Sequence, residues 1–211
     1  SGYRLTDAEI DTICETAFAI TARTDLTVCC SIGMIDSGQA EKLAQSGVTH
    51  YHHNVETAES HFPSVCTTHE YAEDIESIRT ARQAGLTVCA GGIFGLGETW
   101  AQRIEMALTL REIGVSKIPL NFINPIAGTP LADRPRLTPM EALKTIALYR
   151  YLLPDCDIVI CGGRDVTLQD FQSWIFFAGA NGVMTGNYLT TEGRSIDADL
   201  KMIAAWKMSL T

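Results

Sequence analysis

The sequence predicts an α/β protein, part of a (β/α)8 TIM-type barrel carrying about five C-terminal βα units, with the first three units missing. Three observations lead there. Short β-branched apolar runs alternate with helical stretches of about 10–15 residues, the pattern of parallel strands covered by helices. Glycine follows helix after helix, at Gly47, Gly85 and Gly114. Leu26-Thr-Val-Cys29 recurs as Leu86-Thr-Val-Cys89, each copy entering a glycine-containing loop. A doubly wound open sheet is the competing architecture, but no phosphate-binding glycine fingerprint opens the first unit. A closed barrel takes about 250 residues, and the 211 here read as one domain, 1–211, truncated on its N-terminal side.

Taken in order, residues 5–22 read as a helix, because Thr6-Asp-Ala-Glu9 is a capping box. Residues 26–32 are β-branched, short and stopped by Gly33, which predicts a strand. A short helix over 36–46 follows, then a strand over 48–55 and a helix over 71–84. The third strand, 86–89, runs into Ala90-Gly-Gly92. A helix over 99–113, a strand over 117–123, a helix over 138–153 and a strand over 158–161 complete five units. Residues 168–178 read as the last long helix.

Composition removes several function classes. A formal net charge of −9 without any basic run disfavours nucleic acid and anionic membrane as partners, since both need clustered Lys and Arg. No run approaches the roughly 18 apolar residues of a membrane span, and 1–13 are too polar for a signal peptide, so a cytoplasmic setting is expected. Seven cysteines in an odd, irregular arrangement argue against a disulfide framework and for metal ligation. Period-2 alternation puts Cys29 and Cys89 on the same side of their strands. Alternate barrel strands fill the same interior layer, so both thiols are expected inside, near the C-terminal mouth. His50 and His52 share one strand face, but a zinc site normally needs three converging ligands.

Five ordered motifs carry a family resemblance: Cys89-Ala-Gly-Gly-Ile-Phe-Gly-Leu-Gly-Glu-Thr99; Tyr51-His-His-Asn-Val-Glu-Thr57 with Cys66-Thr-Thr-His69; Pro119-Leu-Asn-Phe-Ile-Asn-Pro-Ile-Ala-Gly-Thr-Pro-Leu131; Gly162-Gly-Arg164; and Ala178-Gly-Ala-Asn-Gly182 with Gly186-Asn-Tyr-Leu-Thr-Thr191. Over nearly the whole chain the sequence resembles the biotin synthase family of radical SAM enzymes. The resemblance implies a sulfurtransferase that inserts sulfur into dethiobiotin. A [4Fe-4S] cluster would generate a 5′-deoxyadenosyl radical from S-adenosyl-L-methionine, and an auxiliary iron–sulfur cluster, [2Fe-2S] or larger, would give up sulfide. It also implies a flavodoxin- or ferredoxin-type reductant and a homodimer. Cys29, Cys89 and Arg164 match auxiliary-cluster ligands, Asn54 and Glu56 match residues touching SAM and substrate, and Ile93 matches a SAM-packing residue. Asn121 matches a partner of the ureido ring, while Thr190 and Thr191 would face the substrate carboxylate.

Departures from the family pattern are equally legible. The Cys-x3-Cys-x2-Cys motif for the SAM-cleaving cluster occurs nowhere in the 211 residues, so the isolated chain is expected to be inactive. Position 56 is Glu where the better-known form has Asp. Cys30, Cys66 and Cys161 are extra cysteines that suggest an atypical auxiliary cluster. Cys66, in a loop free to curl over the mouth, is a candidate further ligand. Strand parity places Cys161 opposite Arg164, so with Arg164 inward Cys161 is expected to pack outward. Rival readings are another radical SAM enzyme of the hydrogenase-maturase or methylornithine-forming type, and a non-catalytic iron–sulfur-binding barrel fragment.

Overall fold

The computed structural model describes residues 3–188 and 191–206. In chain order these are α1 (Asp7–Thr21), β1 (Val28–Cys30), α2 (Ser37–Gln45), β2 (Val48–His52), α3 (Tyr71–Gln83), β3 (Thr87–Cys89), β4 (Gly92–Phe94), α4 (Trp100–Glu112), β5 (Lys117–Phe122), α5 (Pro139–Leu152), β6 (Asp157–Ile160), α6 (Arg164–Leu168), α7 (Trp174–Phe177), β7 (Gly182–Val183) and α8 (Ile196–Ala205). The order across the sheet is β1-β2-β3-β5-β6-β7, with β4 beside β5, and every pairing is parallel. Spatial order that follows chain order, with no reversal, is barrel topology and excludes the doubly wound alternative. Among the described residues no helix is long and apolar enough to cross a membrane.

Local chemistry sets the helix starts. Capping boxes open α1 (Thr6 with Glu9), α2 (Asp36 with Gln39), α4 (Thr99 with Gln102) and α5 (Thr138 with Glu141), each satisfying otherwise orphaned first-turn N–H groups. Strand alternation then sorts side chains between the helix layer and the interior. On β5, Ile118, Leu120 and Phe122 join the core beneath the helices, while Lys117, Pro119 and Asn121 face interior cavities. On β2, Tyr51 enters the core and His50 and His52 face inward. Each fully buried core side chain of this kind contributes about 1.5–3 kcal/mol.

Three local expectations need correction. The helix over 168–178 is broken into α6, a 3-10 turn at Gln169–Phe171, and α7. Gln169 sits at φ 48°, a left-handed conformation that no continuous helix accommodates. A sixth strand position exists at β7, two residues long and too short to show alternation, so an eight-stranded closure needs two further strands rather than three. The third correction is α8, which the sequence reading passed over although Ser195 caps it and Asp197 and Asp199 lie in its first turn.

Candidate functional site

Three cavities lie along the interior and C-terminal end of the sheet, and they share walls. The first is about 390 Å³ and is lined by Cys29, Cys89, Cys161, His50, His52 and Lys117 among others. Pairing registers Cys29 with His50 and His52 with Cys89, so the two thiols flank β2 on the interior face as the repeat predicts. Burial raises the pKa of the Cys29 thiol, against the pull of Lys117. Burial, then the proximity of Cys29, pushes Cys89 up to about 12. Cys161 is likewise pushed up to about 12 by burial and then by Cys89. Burial thus favours the neutral form of these thiols, and thiolate ligation of a metal would release their protons.

The second cavity, about 370 Å³, brings together Asn54, Glu56, Ile93, Asn121 and Thr191. These residues come from four separate stretches of chain. Asn121 is pinned between strands: its Oδ1 accepts from Gly162 N–H (2.9 Å) and its Nδ2 donates to Gly92 O (3.2 Å). One N–H and one lone pair remain for a ligand. Ile93 N–H donates to Glu56 O at 2.8 Å, locking the loop after β2 onto β4. That approach leaves no room for a side chain on Gly92, whose Cβ would stand 2.5 Å from Glu56 O. Thr191 O accepts from Tyr188 N–H; Thr190 lies outside the described residues.

The third cavity, about 600 Å³, includes His52, His53, Asn54, Glu56, His69 and Asp74. Asp74 is 2% exposed and holds two imidazoles, with His53 Nε2 2.7 Å from Oδ1 and His69 Nε2 3.2 Å from Oδ2. Glu56 occupies a left-handed backbone conformation, φ 59°, and its Oε2 is buried without a hydrogen-bond partner. Desolvation, then the Asp74 charge, raises the Glu56 pKa above the usual carboxylate value; His53, Asn54 and His69 oppose this. The left-handed main chain and the orphaned buried oxygen both cost stability at this position.

Three sequence expectations are placed differently. Arg164 lines neither the thiol cavity nor the one beside it. It is fully buried, paired with Asp199 of α8 at 2.6 Å and bonded to Gln172 Oε1 at 2.9 Å. Strand parity stops applying before it, because Gly163 turns the chain at φ 72° and Arg164 opens α6. Cys66 does not reach the thiols either. It packs against the core, with Sγ 3.4 Å from His69 Nδ1. Cys161, expected to pack outward, faces inward instead, because it continues the alternation of Val159, which also lines the thiol cavity. That signal was available in the sequence, but taking Arg164 as the inward reference obscured it.

The donor set suits iron: thiolates and imidazoles are the ligands of soft and borderline metals. Among the described residues no three His, Cys, Asp or Glu side chains converge tightly enough to hold a single metal ion.

Residues 1–110 match the model of the radical SAM superfamily, and residues 119–209 match the biotin and thiamin synthesis associated domain. The chain is 60% identical over 203 residues to biotin synthase of Syntrophus aciditrophicus, covering 96% of this chain and 62% of that protein. Against biotin synthase of Geobacter sulfurreducens the identity is 59% over 196 residues, covering 93% and 60%. The chain thus spans about three fifths of the length of the curated relatives it matches. Among solved structures it superposes on methylornithine synthase with TM-score 0.80 at 20% identity, covering 95% of this chain and 64% of that one. On the FeFe-hydrogenase maturase of Carboxydothermus hydrogenoformans the TM-score is 0.76 at 15% identity, covering 96% and 52%. Both likenesses speak for the barrel fold alone. With parallel strands in barrel order, inward thiols at the mouth and a family match over its first 110 residues, the chain belongs to the radical SAM superfamily.

Proposed function

We propose that this chain is the substrate-binding and sulfur-donating part of a biotin synthase, acting on dethiobiotin with S-adenosyl-L-methionine. The observation that carries this reading is the convergence of Asn54, Glu56, Ile93, Asn121 and Thr191 on one cavity. His52 lines both the thiol cavity and the third cavity, which in turn shares Asn54 and Glu56 with the one proposed for substrate. Substrate carbon and sulfur source would then lie close together and away from bulk water, as radical chemistry requires.

In this reading Asn121 offers its remaining N–H and lone pair to the ureido group, whose own carbonyl and N–H groups are complementary. Ile93 packs on SAM, Asn54 and Glu56 contact SAM and substrate, and Thr191, with Thr190, faces the substrate carboxylate. Cys29 and Cys89 are the auxiliary-cluster ligands; when bound, that cluster supplies sulfide. Arg164 is the further cluster ligand in this reading: its Nε is buried without a partner, while its other guanidinium nitrogens tie α8 to the turn after β6. A second cluster, the one that cleaves SAM, needs a Cys-x3-Cys-x2-Cys segment that these 211 residues do not contain. A flavodoxin- or ferredoxin-type reductant, a homodimer and a cytoplasmic setting belong to the same proposal.

The test is product analysis. Holoprotein carrying this chain together with a Cys-x3-Cys-x2-Cys segment is reconstituted anaerobically and incubated with SAM, a reductant and dethiobiotin, and biotin and 5′-deoxyadenosine are quantified by mass spectrometry. Biotin formed together with dethiobiotin-dependent 5′-deoxyadenosine supports the reading. SAM cleavage that ignores dethiobiotin and yields no biotin points to a different member of the superfamily.

A further inference from the structure

We infer that Lys117 is a positioning residue of the auxiliary cluster: its ammonium is the positive charge set against the cluster's thiolates and sulfides, and it eases the cluster's uptake of an electron. This rests on the functional reading above and deepens it.

The charge of the thiol cavity runs against that of the chain. The sequence holds 25 Asp and Glu against 16 Lys and Arg, yet no acidic side chain lines this cavity among the described residues. Lys117 is the one fixed charge in its lining. Burial lowers the pKa of His52, so that ring adds no positive charge at neutral pH. Arg164 stands outside the lining, and its charge is balanced by Asp199.

The sheet fixes Lys117 in place. It opens β5 and is the register partner of Cys89 on β3, and register partners share a face of the sheet. Ala90 N–H donates to Lys117 O at 3.1 Å, which ties the two strands at this point. On the other side its partner is Asp157 of β6. That carboxylate accepts from Asn181 Nδ2 at 2.7 Å instead, and among the described residues no carboxylate pairs with Lys117. A half-buried ammonium without a counter-charge calls for another anion. A lysine snorkelling away into bulk water would leave the thiols unaffected. Burial raises the pKa of Cys29, Cys89 and Cys161, and Lys117 opposes that rise in all three.

Position gives the charge its function. Lys117 stands four residues before Asn121, about 13 Å along β5, so it lies at the end of the thiol cavity away from the substrate cavity. When a substrate carbon radical bonds a cluster sulfide, the radical electron and a sulfide lone pair supply three electrons. Two make the carbon–sulfur bond, and the third passes to iron, Fe(III) becoming Fe(II). A positive charge on the side away from the substrate stabilises negative charge moving toward it, and so raises the reduction potential of the cluster.

Holoprotein carrying this chain together with a Cys-x3-Cys-x2-Cys segment is reconstituted anaerobically as wild type, Lys117→Met, Lys117→Arg and the surface control Lys144→Met. Redox titration followed by visible absorption and EPR gives the midpoint potential of the auxiliary cluster, and iron and sulfide analysis gives its occupancy. Thermal unfolding verifies that each variant is folded. In Lys117→Met the reduced-to-oxidised ratio at the wild-type midpoint is expected to fall about tenfold, a shift of about 59 mV to more negative potential for one electron. Lys117→Arg and Lys144→Met should match wild type. An unchanged potential in folded, fully loaded Lys117→Met, or an equal shift in Lys117→Arg, overturns the inference and leaves the functional reading standing. A cluster lost from Lys117→Met and kept in Lys117→Arg supports the inference, since charge is what those two variants differ in; loss from both overturns it. Wild-type protein that binds no iron beyond the SAM-cleaving cluster overturns the inference and the reading together. If Lys117→Met fails to fold, Lys117→Gln is read in its place by the same outcomes.

Discussion

Glu56 combines a left-handed backbone, a buried unpartnered oxygen and a raised pKa. A carboxyl whose folded pKa exceeds its unfolded value favours folding fully while protonated, and that contribution is lost as pH rises through the folded pKa. Glu56→Gln is therefore expected to raise the Tm of the ligand-free protein at neutral and alkaline pH. The gain should shrink toward about pH 4, where wild-type Glu56 is itself protonated in both states. Calorimetry across that range checks it, and a gain that grows on acidification contradicts it. Asp199 gives the opposite kind of residue: fully buried and fully used, by Arg164. Asp199→Ala strands the Arg164 charge, which is expected to cost about 3–5 kcal/mol in denaturant unfolding.

At the scale of elements, the turn between β6 and α6 decides which side chains reach the interior. Gly163 adopts φ 72°, and a Cβ on it would stand 1.8 Å from Phe122 O. Gly163→Ala is expected to destabilise the fold by more than about 1 kcal/mol. Urea titration measures the effect, and an unchanged midpoint contradicts it. This turn also marks the limit of what the sequence makes legible. Five helices and five strand positions follow from capping boxes and β-branched runs. Cys29 and Cys89 follow from a repeat and a period of two. Parity counted back from Arg164 puts Cys161 on the outer face, whereas it lines the interior, because that count runs through a glycine whose conformation no periodicity encodes. The pairing of Arg164 with Asp199 joins residues 35 apart in sequence, and β7 is only two residues long. Such features depend on tertiary contacts and leave no local signal.

On the scale of the whole molecule, β1 and β7 are the ends of the sheet among the described residues. Sheet ends left uncovered are templates for pairing with other chains. The 211-residue chain on its own is expected to self-associate in size-exclusion chromatography and to form no 5′-deoxyadenosine from SAM. A monodisperse monomer that cleaves SAM contradicts both expectations. The barrel order of the strands, in turn, is what sets the thiol cavity against the cavity proposed for substrate. The central claim is that the sulfur of the product comes from a cluster held by Cys29 and Cys89, and isotope labelling tests it most directly. Holoprotein carrying this chain together with a Cys-x3-Cys-x2-Cys segment is reconstituted with iron and 34S-sulfide, freed of excess sulfide, and given dethiobiotin, SAM and a reductant for a single turnover. The account predicts 34S-biotin from wild type and almost no biotin from Cys29→Ala or Cys89→Ala. Unlabelled biotin from wild type, or undiminished 34S-biotin from both variants, would contradict it.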